Sequence, residues 1–138
     1  MQPQYWPVER LPGLPPAEQK LLKDFCIEDT NQLLKRANTL EKKQALANKL
    51  QIEQKRLYKW VALADLARIP SVNYKYCGLL LHAGVVSLKQ LSQTPFHRLH
   101  PQIVRLQVAT LGRKDLSPPV ELVKRWVEEA KILQNSKD

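Results

Sequence analysis

From Pro16 onward, apolar residues recur at the three- and four-residue spacing of amphipathic helices, and no alternating run of strand length interrupts them. Pro16-Ala17-Glu18-Gln19 opens a first helix with a proline and an acid in its first turn, and Leu21, Leu22 and Phe25 form its inward face. Asp29-Thr30-Asn31-Gln32 reads as an N-cap with Gln at N3, leading into Leu33 and Leu34. Thr39 caps a third helix, with Glu41 in its first turn and Leu40, Ala47 and Leu50 directed inward. A longer helix covers about 53–66, where Leu57, Trp60, Val61, Ala64 and Leu66 form one stripe.

Ile69-Pro70-Ser71-Val72-Asn73 breaks that helix, and the pattern restarts over 74–82 until Ala83-Gly84 stops it. Ser87-Leu88-Lys89-Gln90 repeats the capping pattern, while Thr94-Pro95 and Ser117-Pro118 each read as an N-cap followed by proline. The last helix, about 118–133, directs Val120, Val123, Trp126, Val127, Ala130 and Leu133 inward. The expected fold is all-α. A Pro-rich lead (1–15, its hairpin-like end at 11–15) precedes a first helical unit (16–68), a second unit (69–133) and a short tail (134–138).

Shifted by 58 residues, the chain matches itself without gaps. Leu11-Pro12-Gly13-Leu14 falls on Ile69-Pro70-Ser71-Val72, Leu21-Leu22 on Leu79-Leu80, and Asp29 through Leu33 on Ser87 through Leu91. Both halves close on a helix with a central tryptophan, Trp60 and Trp126, at an offset of 66. A tandem duplication with an eight-residue insertion accounts for the pattern.

Ile69-Pro70-Ser71-Val72-Asn73, a helix, then Ala83-Gly84-Val85 resembles the helix-hairpin-helix element of DNA-handling proteins. The wider string from Trp60 through Pro70, and from Tyr76 through Val85, resembles an uncharacterised family. That family is a domain of unknown function common in cyanobacteria, thought to contain tandem helix-hairpin-helix units. The resemblance implies backbone amides offered to a DNA phosphate at a helix N-terminus. Pro15 lacks that amide, and the second hairpin has no glycine, although Asn73 tolerates left-handed geometry. Both hairpins are therefore degenerate. Phosphate contacts, where made, fall to Arg68, Asn73 and Lys75.

Charge then narrows the partner. The 138 residues carry 22 bases and 13 acids, a net +9, and residues 31–115 hold fifteen of those bases against four of the acids. The positive field belongs to the middle of the chain and suits an acidic partner. Lys55 and Lys59 share a helix face, and His97, Arg98, Arg105, Arg113 and Lys114 form a second set. Solvated helix faces are the plain alternative. Tyr5 and Trp6, in the lead, either anchor a partner or pack back on the domain.

Candidate chemistry is sparse. His97 and His100 lack two further ligands, since Cys77 and His82 point apart, so neither metal nor cofactor is expected. Cys26 and Cys77 form no CxxC and read as buried small hydrophobes. No Gly-rich phosphate loop, paired carboxylates or nucleophile–base pair emerges, so no catalytic residue is assigned. No run is long and apolar enough to span a membrane, and the start lacks a signal peptide's pattern, so a cytoplasmic location is expected. The sequence thus predicts a non-enzymatic binding or adaptor protein that engages an acidic protein surface or assembly. Sequence-independent binding of DNA or RNA is the alternative.

Overall fold

Asp29, Thr39 and Ser87 each cap a helix, and each apolar stripe gives its helix a face to bury. The computed structural model describes residues 1–113 and 117–135. Its helices are α1 (Pro16–Asp24), α2 (Thr30–Arg36), α3 (Leu40–Leu50), α4 (Gln54–Ala67), α5 (Asn73–His82), α6 (Leu88–Ser92), α7 (Phe96–Leu111) and α8 (Val120–Asn135). Among the described residues no strand forms; Pro7 and Asp29 make an isolated antiparallel bridge. The fold is all-α.

Two helices organise the packing. α4 lies against α2, α3 and α5, while α8 lies against α6 and α7. Leu57, Trp60, Leu63, Ala64 and Ala67 of α4 and Val123, Trp126, Val127 and Ala130 of α8 join one continuous apolar core. Both tryptophans point inward, as the sequence predicts; Trp126 is fully buried and its Nε1 donates to the Ser71 carbonyl at 3.1 Å.

Local geometry recurs at the 58-residue shift. The Gln32 amide donates to Asp29 Oδ1 at 2.8 Å and the Gln90 amide to Ser87 Oγ at 3.0 Å. In return, Gln32 Oε1 accepts from the Glu28 amide (2.7 Å) and Gln90 Oε1 from the Val86 amide (2.9 Å). Each is a capping box in which the glutamine reaches the amide just before the N-cap. Ahead of them, Ile27 N–H reaches back to the Leu22 carbonyl and Val85 N–H to the Leu80 carbonyl, at 2.9 and 3.0 Å. Such a turn needs one left-handed residue, which is Cys26 (φ +65°) in the first case and Gly84 (φ +95°) in the second.

The open question of the lead is decided, and several other expectations are corrected. The lead is held in place. Trp6 Nε1 donates to the Ala67 carbonyl at 2.9 Å, its amide donates to Thr30 Oγ1 at 3.0 Å, and its ring meets Tyr74 edge-on at 4.9 Å. Trp6 therefore packs back on the domain, whereas Tyr5 stays exposed. Cys26 is exposed rather than buried, because the left-handed turn carries its side chain outward. Leu40 and Val120 are surface residues, each the first residue of its helix. α7 begins one residue later than Thr94-Pro95 suggests, with Pro95 as its N-cap and Thr94 Oγ1 donating to the Gln90 carbonyl. α8 begins at Val120, since a residue followed by proline, as Pro118 is, is pushed out of the helical region.

Candidate binding groove

The outer face of α4 is the floor of a groove. Lys55, Tyr58, Lys59 and Ala62 lie on that face, the α2–α3 turn walls one side, and the α5–α6 turn walls the other. The space between them is about 780 Å³. Leu34, Ala37, Val61, Ala62 and Leu81 give it an apolar lining, and the lip carries Leu40 (57% exposed) and Val86 (54% exposed). Lys43, Lys55, Lys59 and Arg68 form its basic rim.

Asp65 is the carboxylate in this lining, and its charge is already engaged. One oxygen pairs with Arg68, and the other accepts the Leu88 amide at 2.8 Å, satisfying the first free N–H of α6. Arg68 is thus an internal partner. Lys55 and Lys59 form no ion pair with any described residue, and Lys43 lies over the Tyr58 ring at 5.8 Å. Like charges four residues apart weaken a helix by about 0.2–0.5 kcal/mol, so α4 keeps this pair at a small cost to itself. The groove presents apolar surface beside three lysines, Lys43, Lys55 and Lys59, that pair with no acid among the described residues.

The predicted residues divide by place. Lys55, Lys59 and Arg68 meet in the groove. Asn73 takes a left-handed conformation (φ +43°); its Nδ2 donates to the Pro70 carbonyl at 3.3 Å and its Oδ1 accepts the Lys75 amide at 2.8 Å. Lys75 is exposed, with its ammonium 6.0 Å from the Tyr76 ring centre. His97, Arg98 and Arg105 are exposed on α7, and Arg113 is exposed just beyond it. Lys114 lies outside the described residues. Lys43 belongs to the densest basic stretch of the sequence, with Lys42, Lys49, Lys55, Arg56 and Lys59, although it is not among the predicted site residues, and no sequence pattern signals the apolar lining. The outward placement of Leu40 and Val86 emerges only from the fold, and nothing in the sequence joins residues 34–43 to residues 81–87.

The second hairpin is closed from within. Ser71 donates both its amide (2.9 Å) and its hydroxyl (2.7 Å) to Glu129 Oε1 of α8. A carboxylate therefore occupies the amide that the helix-hairpin-helix resemblance would offer to a phosphate. Among the described residues, no three His, Cys, Asp or Glu side chains converge as metal ligands. Burial pushes the Cys77 thiol up to about 12, which keeps it protonated and unreactive at neutral pH. Among the described residues, no helix is long and apolar enough to cross a membrane.

A family described as a domain of unknown function, DUF4332, matches residues 12–133, which span all eight helices but the last two residues of α8. The chain belongs to the DUF4332 family. No curated protein and no solved structure matches it. The DUF4332 match begins at Pro12, so it includes the first hairpin and most of the groove-bearing half of the chain.

Proposed function

We propose that this DUF4332 protein is a non-enzymatic adaptor, built from two fused helix-hairpin-helix-like units, that binds an acidic, amphipathic segment of a partner protein in the α4 groove. The carrying observation is the pairing of an apolar lining with Lys43, Lys55 and Lys59 in one groove. An amphipathic helix with acids on one flank matches both properties at once: its apolar face covers Val61, Leu81 and Val86, and its carboxylates meet the lysines. The recurring capping boxes and turns support the two-unit reading. The internal use of Ser71 and Asn73 favours a protein partner over DNA held at the hairpins.

The test uses a fluorescently labelled acidic amphipathic peptide and a scrambled control of the same composition, read by anisotropy. The amphipathic peptide binds, and the scrambled one binds more weakly. Reversing both Lys55→Glu and Lys59→Glu weakens binding about tenfold, as two lost rim pairs imply. Equal binding of both peptides, or no change in the double variant, rejects the groove as the site.

A further inference from the structure

A second concavity opens on a different face of α3, between α2 and α3. It measures about 300 Å³ and is lined by Lys35, Arg36, Lys42, Ala45, Leu46 and Lys49. Four of those six residues are cations and none is an acid.

Local structure explains this charge for all but Lys42. Lys35 and Arg36 sit in the last turn of α2, where cations offset the negative end of the helix dipole, and Arg36 Nη1 also donates to the Phe25 carbonyl at 3.0 Å. Lys49 sits likewise in the last turn of α3, so Lys42 alone has no such account. Lys42 lies in the first turn of α3, where the dipole disfavours a cation. Neither Lys42 nor Lys49 pairs with an acid among the described residues.

We infer that this cleft binds a linear chain of phosphates. Lys42 and Lys49 are two helical turns apart on one face, about 10 Å along the axis. Mutual repulsion keeps their ammonium groups apart, which favours successive phosphates over a single ion. Ala45 and Leu46 supply an aliphatic floor without an aromatic ring to stack a base or an amide to read one. Recognition therefore runs through phosphate charge alone. Phosphoanhydride and phosphodiester chains share that chemistry.

The experiment titrates the full chain with sodium tripolyphosphate, with a short oligothymidylate and with an oligoglutamate of matched charge. Either phosphate chain binds, and the oligoglutamate binds at least tenfold more weakly. For three or four phosphate contacts by a single strand, affinity falls roughly twenty- to fifty-fold between about 50 and 200 mM salt. The Lys42→Gln/Lys49→Gln variant, both of whose changes are at exposed positions, binds at least tenfold more weakly and with a shallower salt slope. The Lys55→Gln/Lys59→Gln variant, altered in the other groove, binds within twofold of the unchanged protein. Whichever phosphate chain binds tighter assigns the source. Three results overturn the inference: no binding of either chain at about 50 mM salt, unchanged binding by the Lys42/Lys49 variant, or equal binding of oligoglutamate.

Discussion

Beside the hairpin at 11–15, Pro12 packs against α5 so closely that a Cβ on Gly78 would come within 3.2 Å of its ring. The hairpin at 69–73 lies instead under α8, bonded to Glu129 and Trp126. The two helix starts that follow differ in a parallel way. The Thr30 amide donates to the Trp6 carbonyl at 2.8 Å, supplied by the lead, while the Leu88 amide, 58 residues on, donates to Asp65 of α4 at 2.8 Å. The first free N–H of a short helix needs an acceptor, and two unrelated chain segments meet the same need. The halves keep their turns and change what covers them. Ser71 of the second half closes on Glu129, whereas Lys42, Lys43, Lys49, Lys55 and Lys59 of the first line two concavities and pair with no acid among the described residues.

Removing the tryptophans tests that comparison most severely. Trp60→Ala and Trp126→Ala each destabilise by about 3–5 kcal/mol, measured by urea unfolding. Trp126 stands at the upper end, because it is fully buried, packs on Tyr76 with ring centres 5.0 Å apart, and donates to the hairpin. Equal losses would mean that the α8 clasp adds nothing to burial. Glu129→Ala comes next. It strips the acceptor from both Ser71 donors, for a loss of about 1–3 kcal/mol. A loss below about 0.5 kcal/mol would show that water replaces the carboxylate and that the second hairpin is open after all.

Helices and caps were legible because each is a local matter. Asp29 with Gln32, and Ser87 with Gln90, lie within one turn, so the residues themselves state the bond. The two inward tryptophans were legible from their helical stripes. What sequence could not state is adjacency across the fold. Leu34 and Leu81 share the groove although 47 residues separate them, and Glu129 reaches Ser71 from 58 residues away. Cys26 was misplaced for a related reason: its burial depends on a backbone reversal, and the sequence disguised that turn by placing cysteine where the second half has glycine.

That pair of turns gives the finest test. A side chain in the left-handed region costs about 1–2 kcal/mol, so Gly84→Ala, which meets no neighbouring atom within 4 Å, destabilises by about 1 kcal/mol through the backbone alone. Cys26→Gly runs the other way. It relieves the same strain, but glycine returns roughly 0.5–1 kcal/mol of freedom to the unfolded chain. The net gain is therefore small, at most about 1 kcal/mol. Iodoacetamide provides an independent reading of the site: it labels exposed Cys26 in the native protein and reaches Cys77 only on unfolding. A Cys26→Gly variant that loses more than about 1 kcal/mol would mean that the thiol packs against the domain. The two turns would then share their hydrogen bonds without sharing their physics.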